Sequence, residues 1–494
     1  MTRIKPSDLE MQVLSVLWER GPSTAREVLE AIPDGKKRAY TSILSVMQAM
    51  ERSQTPLAVM PCGRGRFGVE RNTSCNRHRD SASRNSGYDM KNRVQFAVVA
   101  SIVLCGTALA GEIRWRHLST ATGDLETPNR GNQQTASLVC DIDKDGVNDF
   151  VIAERTQAPA LVWYRRAASG WTKYVVEGQP LHIEAGSDSF DIDGDGDLDI
   201  VFAGDWQNHF VWWWENPAPD FDPQKPWIRH VIKDFGGNKH HDLTFGDFDG
   251  DGKAELVFWN QGARKLYLAQ IPENPRQAKS WKCLEIYSYS SDSEMMQRQT
   301  RPYPGFKGIN EHEGLAKIDI DGDGKLDIIG GGRWFKHVEG TTFVPNIIDA
   351  SYQFTRAAAG QLIEGGRPEV VFVVGDGWAP LMMYQWVKGT WVPTELVPEI
   401  DCGHSLAILD FNKDGHLDIW VAEMRLNDGN PDARNMLLVG DGKGKFETVV
   451  ISKGIANHES KIADLDGDGD YDILGKPYSW QTPRLDIWLN EGWK

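Results

Sequence analysis

Hydrophobic residues between 134 and 494 fall in short runs bounded by Asp and Gly, with no helical stripe among them. Asp199-Ile-Val-Phe, Glu255-Leu-Val-Phe, Asp327-Ile-Ile and Asp418-Ile-Trp-Val are rich in β-branched and aromatic residues, and they predict strands. A second kind of run is often opened by an aromatic. Its copies are Trp171-Thr-Lys-Tyr-Val, Trp227-Ile-Arg-His-Val, Trp281-Lys-Cys-Leu-Glu, Thr342-Phe-Val-Pro-Asn, Thr390-Trp-Val-Pro-Thr and Lys445-Phe-Glu-Thr-Val, and Ile113-Arg-Trp-Arg-His lies ahead of them all. These predict outer strands.

Each inner run is introduced by a polar loop, and the loop repeats. Six copies are rich in acids: Asp141-Ile-Asp143-Lys-Asp145-Gly146, Asp191-Ile-Asp193-Gly-Asp195-Gly196, Asp247-Phe-Asp249-Gly-Asp251-Gly252, Asp319-Ile-Asp321-Gly-Asp323-Gly324, Asp410-Phe-Asn412-Lys-Asp414-Gly415 and Asp464-Leu-Asp466-Gly-Asp468-Gly469. Another acid follows four residues after the third position: Asp149, Asp199, Glu255, Asp327, Asp418 and Asp472. A seventh copy, Gly360-Gln-Leu-Ile-Glu364-Gly365, keeps the frame and loses the acids. The starts at 141, 191, 247, 319, 360, 410 and 464 recur at the period of propeller blades.

Seven loops and seven outer strands are offset by one. After Asp464 the chain has room for an inner strand, a second strand (471–475) and a third (484–489), but no fourth. Residues 113–120 can supply the missing strand, leaving no exposed sheet edge at the join. The expected fold class is all-β: a seven-bladed β-propeller over 111–494, closed by strands from both ends and preceded by a small, partial all-α helix-turn-helix module. The 19 Trp and 49 Gly suit packed strand faces and blade turns.

The loops carry the chemistry of a hard cation. Calcium takes six to eight oxygens from a flexible loop, and acids at positions 1, 3, 5 and 9 can point inward around it. Gly at position 6 allows the sharp turn. No Glu stands at position 12 and strands follow, so these are not EF-hands. The expected cofactor is structural Ca2+, up to six ions. The net charge of −16 then mainly reflects metal sites and argues against nucleic-acid binding by the propeller. Of the six cysteines, Cys62, Cys75, Cys105, Cys140, Cys283 and Cys402, three lie beyond residue 110, which makes no disulfide framework. The repeated loop resembles the FG-GAP/VCBS family of calcium-binding propeller repeats. That resemblance implies extracellular or periplasmic proteins, often adhesive or carbohydrate-active.

The front of the chain has another character. Leu9, Val13, Leu14, Val16 and Leu17 form an apolar helical stripe, Ser23-Thr-Ala-Arg-Glu27 is a capping box, and 40–51 is a third helix. Residues 1–53 resemble the winged-helix domain of the penicillinase repressor family, through Leu14-Ser-Val-Leu-Trp18 and Lys37-Arg-Ala-Tyr40-Thr41. The resemblance implies DNA contact near Tyr40, Thr41 and Ser42. Residues 54–89 offer neither a two-stranded wing nor a dimerisation helix and read as a disordered linker. In 90–110, Lys91 and Arg93 precede an apolar run to Leu109, with Ala108-Leu-Ala110 before Gly111. This is the pattern of a signal peptide. One reading is an exported protein starting at Met90 and cleaved before Gly111, secreted, periplasmic or at the cell surface, with 1–89 a gene-fusion or start-site artefact. The alternative is a single-span membrane protein, a transcriptional regulator with a propeller sensor, in which 94–110 is the anchor.

Histidines recur ahead of the acid loops. His241, His404 and His458 lie six residues before a loop, His240 and His312 seven, and His182 nine; Glu184, Asp242, Glu311, Glu313 and Glu459 accompany them. Six strand residues span about 20 Å, so these groups start the inner strands at the face opposite the acid loops. The second strands deliver Arg155, Asp205, Asn260, Arg333, Asp376, Glu423, Arg425 and Lys476 to the same face, with Trp206, Trp334 and Trp378 nearby and the loops 287–310 and 426–435 projecting there. The candidate ligand or catalytic site is His241, His312, Glu313, Arg333, His404, Glu423 and His458. Its expected partner is a carbohydrate or a surface protein. The stretch from His241 to Trp334 is also similar to the propeller part of aldos-2-ulose dehydratases. That similarity implies a carbon–oxygen lyase, a sugar dehydratase, with Zn2+ or another transition metal at the central channel; the cupin domains of that family have no counterpart here.

Overall fold

The computed structural model describes residues 113–290 and 311–493, with a few positions nearer the front. The chain divides into two compact units, Met1–Val103 and Leu104–Lys494.

The second unit is seven four-stranded antiparallel sheets. The innermost strands are, in order, Gln134–Cys140, Ile183–Phe190, His240–Gly246, Ala316–Ile318, Thr355–Gly360, Ser405–Leu409 and Lys461–Ala463. Each neighbours the inner strand of the next blade. Every second strand, from Asp149–Glu154 to Asp472–Gly475, is buried along its whole length because sheets cover both its faces. That is why these strands read as unbroken apolar runs rather than as alternation. The outer strands alternate between intermediate and exposed positions, as in Thr390–Asp401. The core lies between blades: Trp163 of the first meets Phe221 and Trp227 of the second edge-on, at 4.9 and 5.9 Å. The last blade closes as expected. Ile113–Ser119 pairs with Asp486–Trp493, Ile113 opposite Trp493 and Ser119 opposite Asp486. Asp486 is held there by His117 at 2.9 Å and Arg484 at 2.7 Å.

The acid loops join inner to second strands. In each of the six, the first Asp accepts from the amide of the sixth-position Gly, at 2.8 to 3.1 Å. Those glycines all have φ between +83° and +93°, where a side chain is strained. The ninth-position acid is buried and clips loop to sheet: Asp199 accepts from Ile192 N at 3.0 Å and Asn216 N at 2.9 Å, and Asp472 from Leu465 N and Asn490 N at 2.7 and 2.8 Å. Burial, with neighbouring carboxylates adding to it, pushes Asp199 up to about 8 and Asp149, Glu255 and Asp472 up to about 7. A cation would relieve that cost. Asp149 Oδ2, Asp321 Oδ1 and Asp466 Oδ1 are buried without a hydrogen bond. The acids at 141/143/145, 191/193/195, 247/249/251, 319/321/327 and 464/466/472 are close enough to hold a metal ion. The 410 loop forms no such group, because Asn412 replaces an acid and its Nδ2 donates to Asp414 at 2.9 Å.

The seventh loop is in a different frame from the expected one. Gly360 ends its strand, so the loop starts at Gln361. Leu362 then fills the buried second slot occupied elsewhere by Ile142, Ile192, Phe248, Ile320, Phe411 and Leu465. Gly366, at φ +79°, takes the sixth position. Glu369 is the ninth-position acid, accepting from Ile363 N at 3.0 Å. This loop has therefore kept its clip. The Gln361 amide donates to the carbonyls of Ile363 and Gly365, closing the turn through side-chain hydrogen bonds.

In the first unit, Val16 and Val28 are helical and buried. Val59–Pro61 and Phe67–Val69 form an antiparallel pair, with Val59 opposite Val69. This corrects the expectation that 54–89 contains no two-stranded element: two short runs within it, 59–61 and 67–69, pair with each other. The other expectations for 1–53 and 54–89, the signal or anchor at 90–110, and the insertion at 291–310 lie outside the described residues. Among the described residues no helix is long and apolar enough to cross a membrane.

Two outcomes follow from this packing. Leu362→Ala should cost about 2–5 kcal/mol in denaturant unfolding, as for a fully buried leucine, although Leu362 lies in a loop without acids at its first, third and fifth positions. Deleting residues 113–119 should expose the edge of Asp486–Trp493 and convert the protein to higher oligomers by size-exclusion chromatography; a monomer of unchanged stability would contradict the closure.

Candidate functional site: the cleft opposite the acid loops

Because the inner strands surround one axis, residues at the same distance ahead of each loop form a layer. Six before the loops stand Thr135, Ala185, His241, Glu313, Thr355, His404 and His458; five before stand Ala136, Gly186, Asp242, Gly314, Arg356, Ser405 and Glu459. The first layer floors a cleft of about 430 Å3 on the face away from the acid loops. His241, Glu313, His404 and His458 all line it. Arg155, Glu184, Lys239, Asp376 and Tyr478 form polar walls, and Trp206, 60% exposed, stands at the cleft.

The second layer holds the floor in place. Arg356 crosses from the fifth blade to Asp242 of the third at 2.5 Å and to Glu459 of the last at 2.9 Å. Asp242 Oδ2 in turn lies 2.8 Å from His241 Nδ1 and accepts from Gly314 N at 2.8 Å. His241 Nε2 lies 3.3 Å from Glu313 Oε1. Burial alone would lower the His241 pKa, but Glu313 and Asp242 outweigh it and hold the imidazole at about 9, so it is a cation at neutral pH. Burial raises Glu313. Burial, with the Lys476 ammonium beside it, holds His458 well below the usual histidine range, so it is neutral. Lys476 itself donates to the carbonyls of Gln134 and His458 at 2.9 and 2.5 Å.

The cations facing the cleft are already paired. Arg155 meets Glu184 and lies 3.1 Å from Asp205, and it donates to Tyr478 Oη at 2.9 Å. Lys239 lies 2.6 Å from Glu311. Glu313 Oε2 and His404 Nδ1 are buried without a hydrogen bond, as is Arg155 Nε beside Asp205. Gly375 keeps space between floor groups: a Cβ there would come within 3.0 Å of His404 Nε2 and 3.2 Å of Glu313 Oε2.

Three of the seven candidate residues lie elsewhere. His312 stacks on Tyr289 at 3.8 Å, edge-on to Trp259 at 5.2 Å. It lies ahead of the inner strand Ala316–Ile318 and is held in this aromatic cluster, whereas its neighbour Glu313 lines the cleft. His240, next to His241 in its strand and so on the other face, meets Asn260 at 2.8 Å. The Arg333 guanidinium donates to Gly331 O at 2.8 Å and lies over Tyr287 at 5.5 Å. Glu423 is taken up by Arg434 at 2.6 Å and by Asp401 N at 2.9 Å. Of the tryptophans, Trp334 is buried against Trp386 and Trp391, and Trp378 is half-exposed outside the cleft. Sequence reasoning passed over Arg356, Lys239 and Tyr478; counting from the corrected start at 361 would have put Arg356 in the layer of Asp242 and Glu459. Among the described residues the groups of three or more acids or histidines close enough to share one ion all lie in the acid loops.

The crystal structure of BBS1N in complex with ARL6DN, soaked with mercury, is 12% identical, spans 76% of this chain and 96% of its own, and has a TM-score of 0.44. That of rhamnogalacturonan lyase YesW is 14% identical over 76% and 75%, with a TM-score of 0.39. No curated protein matches the chain. Residues 6–55 match the penicillinase repressor family. Residues 191–258 and 410–475, which hold four of the acid loops, match the FG-GAP-like repeat, and these stretches are FG-GAP-like repeats within the seven-bladed propeller.

Proposed function

We propose that this is an exported propeller that binds an uncharged polyhydroxy ligand, a carbohydrate, in the cleft, with calcium as the structural ion of its acid loops. The observation that carries the ligand class is the pairing of the cleft cations. Arg155 and Lys239 are bound to Glu184, Asp205 and Glu311, so among the described residues of the cleft an anionic ligand would meet no unpaired Lys or Arg. Hydroxyls, by contrast, find carboxylate oxygens, the neutral His458 and the unbonded Glu313 Oε2. Trp206 offers an aromatic face beside them. The volume of about 430 Å3 is within the range of small-molecule sites. Export is supported by the apolar run 94–109 and the small residues of Ala108-Leu-Ala110.

One observation favours a second reading, a carbon–oxygen lyase. Glu313 is a buried carboxyl with a raised pKa beside an imidazolium, which suits proton transfer next to a carbonyl. Turnover of a keto-sugar that is abolished by Glu313→Gln would establish it.

Calorimetry of the full chain against neutral and uronic-acid oligosaccharides should show binding of the neutral ones. Trp206→Ala should weaken it by about tenfold, the scale of one aromatic contact. Tighter binding of the acidic set would overturn the ligand class. Removing divalent ions with a chelator should lower thermal stability, and each site refilled at a hundredfold excess of calcium over its Kd should restore about 2.7 kcal/mol; equal stability with and without the chelator would remove calcium from the account. Mass spectrometry of the native protein should place its first residue at Gly111.

A further inference from the structure

The acid loops differ in what faces them across the sheet. The ninth-position acid is paired in register with one residue of the third strand: Glu255 lies opposite Gln270, and the same register sets Asp149 opposite Arg165, Asp199 opposite Glu215, Asp327 opposite Lys336, Asp418 opposite Val439 and Asp472 opposite Leu489. Cross-strand partners project to the same side of a sheet. The nature of this partner therefore decides what enters the loop.

In the first and fourth blades the partner is itself a cation. Arg165 is ion-paired with Asp143, and Lys336 with Asp321 and, at 2.8 Å, with Asp323. In the second blade the partner is Glu215, and a guanidinium arrives from the next blade. Arg276 lies 2.6 Å from Asp193, 2.7 Å from Asp195 and 3.0 Å from Glu215. In the third blade the partner is the neutral Gln270, which donates to Asp249 at 3.2 Å. In the last blade it is Leu489. Among the described residues, Asp464, Asp466 and Asp472 make no ion pair with Lys or Arg; Lys413 pairs instead with Asp470, the seventh position of this loop, at 2.8 Å, and Asp466 Oδ1 is buried without a hydrogen bond.

We propose that the loops fill in two classes, which rests on the calcium reading above. The loops at 247 and 464 take calcium first. Those at 141, 191 and 319 carry Arg165, Arg276 and Lys336 as resident counter-ions that calcium must displace. A loop's affinity follows the charge left for the ion, so a resident cation lowers it. The 464 loop lies in the blade that joins the two ends of the propeller, so the first calcium ions bound act on ring closure.

The test is equilibrium dialysis of the full chain with calcium after chelation, with circular dichroism to confirm folding. The wild-type chain should show a tight class and a weak class. Arg276→Gln, at a half-exposed side chain that contributes little to the core, should move one calcium per chain into the tight class, its affinity rising by about tenfold. Lys336→Gln should do the same in the fourth blade, and Asp466→Asn should remove one tight ion. Equal affinity at all wild-type sites, or an unchanged tight class in both Arg276→Gln and Lys336→Gln, would overturn the inference while leaving calcium binding intact. No calcium bound by the wild-type chain at millimolar concentration would overturn the calcium reading itself.

Discussion

The strand Ile113–Ser119 lies hundreds of residues from Asp486–Trp493 in sequence and pairs with it in space. The other six blades are each built from one continuous stretch. Only the last needs both ends of the propeller, so the ring is held as a ring by this one hairpin-free pairing. Without it the seven inner strands would not surround a common axis, and residues in equal register would not become layers. The cleft, its ionic floor and the spacing of the acid loops all depend on that closure.

Once the ring is closed, short sequence offsets become geometry. One residue separates Glu313, at the channel, from His312, stacked in the aromatic cluster of Tyr289 and Trp259. One residue also separates the cleft layer from the ionic layer under it. Arg356 bridges Asp242 and Glu459 across the channel, and Glu313 with Asp242 keeps His241 charged. Truncating one member of such a buried network leaves its partners uncompensated, so the floor is rigid and its charges fixed. Ligand choice then falls to the groups with capacity left over, Glu313 Oε2 and His404 Nδ1.

Much of the fold was readable in the sequence because each blade repeats the same local chemistry. The acid loops, the outer strands and the closing strand all stand where the pattern put them. The seventh loop starts one residue later than the glycine frame predicts, because its missing acids hide the register that the buried Leu362 and the retained Glu369 carry. Of the candidate site, the histidines and Glu313 at offset six converge. His312 at offset seven does not: it lies ahead of its strand and is stacked on Tyr289. Glu423 is taken up within its own blade by Arg434, at the start of the adjacent strand. Arg356 and Tyr478 act across blades, at distances that only the closed ring makes short.

The central claim is that ligand binding belongs to the His- and Glu-lined face, whereas the acid loops hold the scaffold. Hydrogen–deuterium exchange of the full chain, calcium-loaded, with and without a bound neutral oligosaccharide, tests it most directly. The account predicts added protection in the segments around His241, Glu313, His404 and His458, with the acid loops unchanged. Protection concentrated at the loops around Asp191, Asp247, Asp319 and Asp464 would contradict it.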